Sequence, residues 1–232
     1  MTERSHLFRL PLYYKELFFS TGQILMSRNQ ERGAVVFDCD GVMFDSRDAN
    51  INFYNHLLTH FHLPPLEGDQ VDFVHMHTAD ESIRHIFKGT SHMEEALAYR
   101  WEMDYAPFIR HMVIEPGLKE LLSWLRPRFG LAVATNRSNT IGAVLETHGL
   151  KGFFDIVVSS LDVENPKPHP EALIKILDFF KLSPEQALYV GDSAVDYETS
   201  KGAGVVFIAY KNRELEADFH VDSLMDIARL VG

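Results

Sequence analysis

A chain of 232 residues with a 46% hydrophobic share holds enough apolar side chains for one large core, or for a core domain with a smaller insert. Its formal net charge of -11 argues against a nucleic-acid partner, which would call for a basic patch, but not against an anionic substrate held by a metal ion and one or two lysines. The one cysteine, Cys39, excludes an intramolecular disulfide and fits a reducing, cytoplasmic compartment, and no stretch approaches the ~20 uncharged apolar residues of a membrane span.

Residues 1–32 read as an N-terminal extension. Its apolar patches (Leu7, Phe8, Leu10, Leu17, Phe18, Phe19) are interrupted by Arg9, Lys15 and Glu16, and no small-residue cleavage site follows. That pattern is neither a signal peptide nor a transmembrane helix. A helix docked on the body and a mobile arm remain open for it. Its few basic residues disfavour an interfacial anchor, so no stable membrane insertion is expected.

From Gly33 the pattern changes. Ala34-Val35-Val36-Phe37 is a short apolar run that ends in Asp38-Cys39-Asp40-Gly41, as a buried strand feeding a loop does. Four more such runs follow: Leu131–Ala134 ending in Thr135-Asn136, Ile156–Val158, Ala187–Val190 ending in Gly191-Asp192, and Val205–Ile208. Helices lie between them. Leu118, Leu121, Leu122 and Leu125 repeat at helical spacing, residues 138–148 form a helix stopped by Gly149, and residues 170–180 offer Leu173, Ile174, Ile176, Leu177 and Phe180 for packing. Ser183-Pro184-Glu185-Gln186 has the form of a helix start. Strands alternating with helices predict an α/β class, a Rossmann-like parallel sheet with helices on both faces. Residues 49–112 break the rhythm: they lack a comparable strand and are rich in helix formers, which predicts an all-helical insert after the first strand.

Ligands of an open parallel sheet bind beyond the carboxyl ends of its strands. At that edge the sequence delivers Asp38 and Asp40, Thr135 and Asn136, Lys167, and Asp192 with Asp196 one helical turn further on. The set resembles the haloacid dehalogenase superfamily, whose four motifs are matched in order by Asp38-Cys39-Asp40-Gly41-Val42, by Thr135-Asn136, by Lys167-Pro168-His169-Pro170, and by Gly191-Asp192-Ser193 with Asp196. The resemblance covers residues 33–230 and implies a core formed by 33–48 and 113–232 with a helical cap at 49–112, as in the phosphoglycolate phosphatase and β-phosphoglucomutase branch.

The activity implied is Mg²⁺-dependent hydrolysis of a small phosphate monoester, phosphoglycolate or a sugar phosphate, by a monomer or homodimer. By resemblance, Asp38 is the nucleophile that forms an aspartyl-phosphate and Asp40 the general acid and base. Thr135 and Lys167 stabilise the phosphoryl group. Backbone N–H groups around Gly41 and Asn136 complete the phosphate cradle. Asp38, Asp40 (through its carbonyl) and Asp192 hold the metal, with Asp196 in or near the shell behind them. An Asp two residues after the nucleophile resembles the phosphatase and phosphomutase branches rather than the dehalogenases. A phosphomutase that uses the same motifs is the first alternative, and a catalytically idle binding protein the second.

Weaker signals have plainer readings. Cys39 should face away from its two aspartates and pack rather than react. His56, His60, His62, His75 and His77 suggest zinc, but no cysteine or carboxylate pattern accompanies them, so packing and surface roles are expected. His75, His77 and Arg84 of the insert, and Arg47 just before it, are candidates for facing the substrate.

Overall fold

The computed structural model describes residues 33–232; the N-terminal extension lies outside the described residues. Six strands form a parallel sheet: β1 (Ala34–Phe37), β4 (Gly130–Ala134), β5 (Ile156–Val158), β6 (Ala187–Gly191), β7 (Val206–Tyr210) and β8 (Phe219–Val221). Their spatial order is β5-β4-β1-β6-β7-β8. The chain moves outward from β1 through β4 to β5, then crosses back to build β6, β7 and β8 on the other side. The order therefore reverses beside β1, and a crevice opens at the carboxyl ends there.

Strand alternation divides the core in two. Val35, Phe37, Val133 and Val190 pack on one face against helices α6 (Leu118–Leu125), α7 (Ile141–Thr147) and α10 (Leu224–Leu230). Ala34, Val36, Ala132 and Tyr189 pack on the other, mainly against α8 (Glu171–Phe180). Helix α9 (Ala194–Ala203) follows β6. Burial on both faces explains why the strands read as continuous apolar runs.

Several sequence-based expectations shift. β7 begins at Val206 rather than Val205, and β8, with only three residues, was not anticipated. The helix expected over 138–148 is confined to α7, because Arg137–Thr140 are drawn into the crevice, although Gly149 does end it in a left-handed turn (φ +67°). Ser183–Gln186 closes a capping box but yields one 3₁₀ turn only, since the apolar run that pairs as β6 starts at Ala187. On α8 Ile174 faces outward.

Between β1 and β4 the chain leaves the sheet. Among the described residues this excursion holds helices α1 (Arg47–His60), α2 (Asp69–Met76), α3 (Ala79–Ile86), α4 (Met93–Tyr99) and α5 (Ala106–Ile109). They enclose a separate core that includes Phe53, Leu57, Ile83 and Phe87. The two crossings are stitched by a short antiparallel ribbon, β2 (Phe44–Asp45) with β3 (Val113–Ile114), which the sequence reading did not foresee. Glu115 ties the ribbon to the sheet: its N–H donates to Met43 O at 3.0 Å, and its carboxylate accepts from Tyr210 Oη (2.9 Å) and Lys211 Nζ (2.8 Å).

Candidate active site

Pairing extends one residue past β1, where Asp38 N–H donates to Val190 O at 2.9 Å and fixes the start of the loop. Alternation then sends Cys39 into the sheet core, fully buried beside Val42, Met43 and Phe44. Burial, with help from Asp40, pushes its thiol well up, so Cys39 packs and does not react. Gly41 turns the loop with φ +79°, and a Cβ there would sit 2.0 Å from Asp192 Oδ2. Only glycine permits this approach, which brings the loop after β1 against the loop after β6.

Lys167 reaches the same point from the loop after β5, its side chain 4% exposed. Its Nζ lies 2.8 Å from Asp38 Oδ1 and donates to Asp196 Oδ1 at 2.6 Å and Tyr189 Oη at 3.0 Å. The Asp38 contact is an ion pair by distance but lacks hydrogen-bond geometry, so Asp38 Oδ1 is buried without a donor. Tyr189 Oη also donates to Asp196 Oδ1 at 2.7 Å. Asn136 braces the Lys167 loop reciprocally: Lys167 N–H donates to Asn136 Oδ1 and Asn136 Nδ2 to Lys167 O, both at 3.1 Å. Thr135, 3% exposed, accepts the Arg137 N–H on its hydroxyl at 3.1 Å.

The carboxylates differ in how they are satisfied. Asp196 is saturated: Oδ1 takes Lys167 and Tyr189, and Oδ2 takes the Ser193 hydroxyl (2.6 Å) and the N–H groups of Ser193 and Asp192. Burial would raise its carboxyl, but Lys167 and these donors outweigh that and hold it low. Asp192 has no donor to its carboxylate among the described residues, and burial beside Asp196 and Asp38 pushes it well up. Burial likewise lifts Asp38 to about 7, with Lys167 opposing and the charges of Asp196 and Asp40 adding to the rise.

This set fits a cation. Oxygens of Asp38, Asp192 and Asp196 lie within 4.8 Å of one another. Two of the three carboxylates keep oxygens without donors, and like charges this close and this buried need a positive partner. An all-oxygen donor set suits a hard divalent ion. Asp196, with both oxygens engaged by the protein, is the frame of such a site; Asp38 and Asp192 have the free oxygens.

Asp40 belongs to a different network. Arg137 grips it with two prongs, Nε to Oδ2 at 2.7 Å and Nη2 to Oδ1 at 2.6 Å, and Ser46 Oγ donates to Oδ1 as well. Burial would raise Asp40, but the guanidinium beside it holds its carboxyl below the usual range. A cavity of about 240 Å³ joins both networks. Asp38, Asp40, Thr135, Asn136, Lys167 and Asp192 line it from the sheet side, and His75 and His77 from the helical side.

Two sequence candidates fall outside. Arg47 pairs with Asp72 at 2.8 Å and Arg84 lies 3.9 Å from Glu94, both on the surface, because each sits on the outer side of its helix. Two residues were missed. Tyr189 was hidden inside an apolar run, although a tyrosine hydroxyl in a buried strand signals a polar partner. Arg137 directly follows Thr135-Asn136, and an arginine beside a strand end that carries site residues could have been singled out.

Comparison with known proteins agrees with the geometry. The sequence profile of the haloacid dehalogenase-like hydrolases matches residues 35–210. A phosphoglycolate phosphatase of Chromobacterium violaceum is 29% identical over 213 residues, covering 85% of this chain and 96% of that protein. Pyrophosphatase PpaX of Anoxybacillus flavithermus is 28% identical over 220 residues, with 85% and 96% covered. The crystal structure of a superfamily hydrolase of subfamily IA, variant 1, from Geobacter sulfurreducens superposes with a TM-score of 0.77 at 38% identity, covering 87% of this chain and all of that one. With matched residues spanning every strand but the last and every site residue described above, the chain belongs to the haloacid dehalogenase-like hydrolases and is an enzyme of their phosphatase kind.

Proposed function

We propose that this hydrolase is a Mg²⁺-dependent phosphatase acting on a small phosphate monoester, with Asp38 as nucleophile. The observation that carries the reading is Asp38 itself: a buried carboxylate at a central strand end, with one oxygen free of donors, an ammonium group 2.8 Å away and a second donor-poor carboxylate, Asp192, beside it. The phosphoglycolate phosphatase relative supports a small carboxylate-bearing ester, and a cavity of about 240 Å³ suits a metabolite rather than a phosphoprotein.

In this reading Asp38 attacks phosphorus, the bond from phosphorus to the leaving oxygen breaks, and Asp40 gives that oxygen a proton. Water then attacks the aspartyl-phosphate while Asp40 takes its proton back, releasing phosphate and restoring both carboxyl groups. Lys167 and the Thr135 hydroxyl neutralise and orient the phosphoryl oxygens. Asp38, Asp192 and the Asp40 carbonyl would hold Mg²⁺, which when bound offsets repulsion between the carboxylate and the phosphate dianion. Asp196 and Tyr189 hold Lys167 in place. The helical unit over 49–112 acts as a cap that excludes water and reads the leaving group. A single buried thiol suits a reducing compartment such as the cytoplasm.

The test is phosphate release from a panel of metabolite monoesters, with and without Mg²⁺, by wild type and Asp38→Asn. Release that needs Mg²⁺ and vanishes in the variant is expected. Release that survives the substitution would sink the assignment of the nucleophile.

A further inference from the structure

Arg137 is the least expected residue of the cavity and the most heavily bonded. It is 8% exposed, and every donor position of its guanidinium is in use. Nε and Nη2 hold the two oxygens of Asp40. Nη1 donates to Tyr105 Oη at 2.9 Å and Thr140 Oγ1 at 3.3 Å, and Nη2 also reaches Asn50 Oδ1 at 3.4 Å. Asn50 lies on α1 and Tyr105 at the start of α5, both in the helical unit, whereas Arg137 and Thr140 follow β4 of the sheet. One guanidinium therefore joins helical unit, sheet edge and proposed acid/base.

The arrangement conflicts with turnover as it stands. On the reading above, Asp40 must bring an oxygen to the leaving group, yet both of its oxygens are clamped by Arg137, one with further help from Ser46. A forked guanidinium exchanges one oxyanion readily only for another that offers paired oxygens in the same geometry. Arg137 lines the cavity on the same side as Thr135 and Asn136, so a group carried by the leaving portion of a bound ester would meet it there.

We propose that Arg137 is a specificity-determining latch: it holds Asp40 until a second oxyanion on the substrate, a carboxylate or a phosphate borne by the leaving group, takes the guanidinium fork and frees Asp40. The substrate class is thus a phosphate compound with two anionic ends. A phosphate ester with a neutral tail would fill the phosphate end and leave the latch closed. The inference rests on the phosphatase reading for the role of Asp40, but the selection it describes can be measured without turnover.

The experiment uses the full chain with Mg²⁺ and the Asp38→Asn substitution, so that ligand survives titration calorimetry. Three probes are compared: 2-phosphoglycolate for a carboxylate tail, pyrophosphate for a phosphate tail, and ethyl phosphate for a neutral one. An anionic tail is expected to bind at least about tenfold tighter than the neutral one, in keeping with a fork to an oxyanion. Adding Arg137→Met should bring the ratio to within about threefold of unity, and Arg137→Lys should restore part of it. The two anionic probes distinguish the tails: a preference for one of them identifies the oxyanion. Because Arg137→Met strands a buried Asp40 charge, the Asp40→Asn/Arg137→Met pair supplies a second background with no stranded charge. A preference that survives in either Arg137→Met background, or that wild-type Arg137 never shows, overturns the proposal. An equal loss for all three probes overturns it too, since that marks a purely structural arginine. Phosphate release by the unsubstituted chain is measured in parallel. No release with tail selection intact sinks the phosphatase reading alone, and release without tail selection sinks the latch alone.

Discussion

On the sheet side of the cavity Lys167, Asp38, Asp196 and Asn136 are tied to one another across different strand ends. Lys167 bridges Asp38 and Asp196, Tyr189 of β6 supports both Lys167 and Asp196, and Asn136 after β4 binds the main chain of Lys167. On the helical side the ties are fewer and, Arg137 with its bonds to Asn50 and Tyr105 apart, mostly local. His75 meets Asn50 at 3.0 Å, His77 contacts its own helix at Phe73 O, and Asn136 reaches Met76 O at 3.5 Å. The first region is built from groups that hold one another against several strands, so it can keep charges in place during a reaction that moves charge. The second has its own core, and apart from the contact of Asn136 with Met76 O its polar links to the sheet among the described residues run through Arg137, which binds Asn50 and Tyr105. The carboxylates and Lys167 sit on the one side, and Arg137 is where the two sides meet.

The strongest way to break the comparison is to remove the cation that the sheet side is built around. Lys167→Met keeps the volume but leaves Asp38 and Asp196 buried without it. Loss of one partner from a buried pair costs about 3–5 kcal/mol. A fall of that size in urea unfolding is expected, together with loss of turnover. Stability within experimental error of wild type would mean the carboxylates are not held by Lys167.

Leu57→Ala probes the other region. Leu57 is fully buried in the core of the helical unit, and its truncation costs about 2–5 kcal/mol. The loss should be local. Hydrogen exchange is expected to quicken at amides of α1 to α5 while those of β1, β4 and β6 keep their protection. Uniform loss across both regions would show one cooperative unit and remove the distinction drawn above.

A smaller effect on stability, but a specific one on function, is expected at Gly41. Alanine there is strained by its positive φ, at about 1–2 kcal/mol, and its Cβ would displace the Asp192 carboxylate. Stabilisation by added Mg²⁺ in a thermal melt should be lost from Gly41→Ala while the fold persists. An undiminished Mg²⁺ shift would place the cation away from Asp192.

The same division governs what could be read without a structure. Asp38, Thr135, Lys167 and Asp192 each follow or stand near a short apolar run, and a parallel sheet forces such ends to one edge, so their convergence was legible. The helical unit has no such rule. Its helix formers and the lack of a comparable strand foretold helices, but which of its polar residues would face the cavity depended on how α1 to α5 pack, and Arg47 and Arg84 were chosen wrongly while His75 and His77 line the wall. β2 and β3 escaped notice because two-residue strands carry no periodicity, and β8 because three residues barely do. Arg137 was missed for another reason: its partners Asn50 and Asp40 lie 87 and 97 residues away, and its place directly after Thr135-Asn136 is the one local sign of them.

The smallest expected effect tests that last distinction from the opposite direction. The Arg47–Asp72 pair has side chains 51% and 63% exposed, and the Arg84–Glu94 pair 57% and 85%. Exposed pairs of this kind contribute about 0–1 kcal/mol, because solvent screens them and long side chains lose freedom in holding them. Arg47→Ala and Arg84→Ala should therefore shift stability by no more than about 0.5 kcal/mol. Neither should alter kcat/KM for any substrate the enzyme turns over, since neither residue borders the cavity. A clear rise in KM for an anionic substrate in Arg47→Ala, with stability unchanged, would mean that the helical unit moves far enough to bring its outer surface to the substrate. The wall formed by α1 and α2 would then be mobile, whereas the strand ends beneath it stay fixed by their mutual bonds.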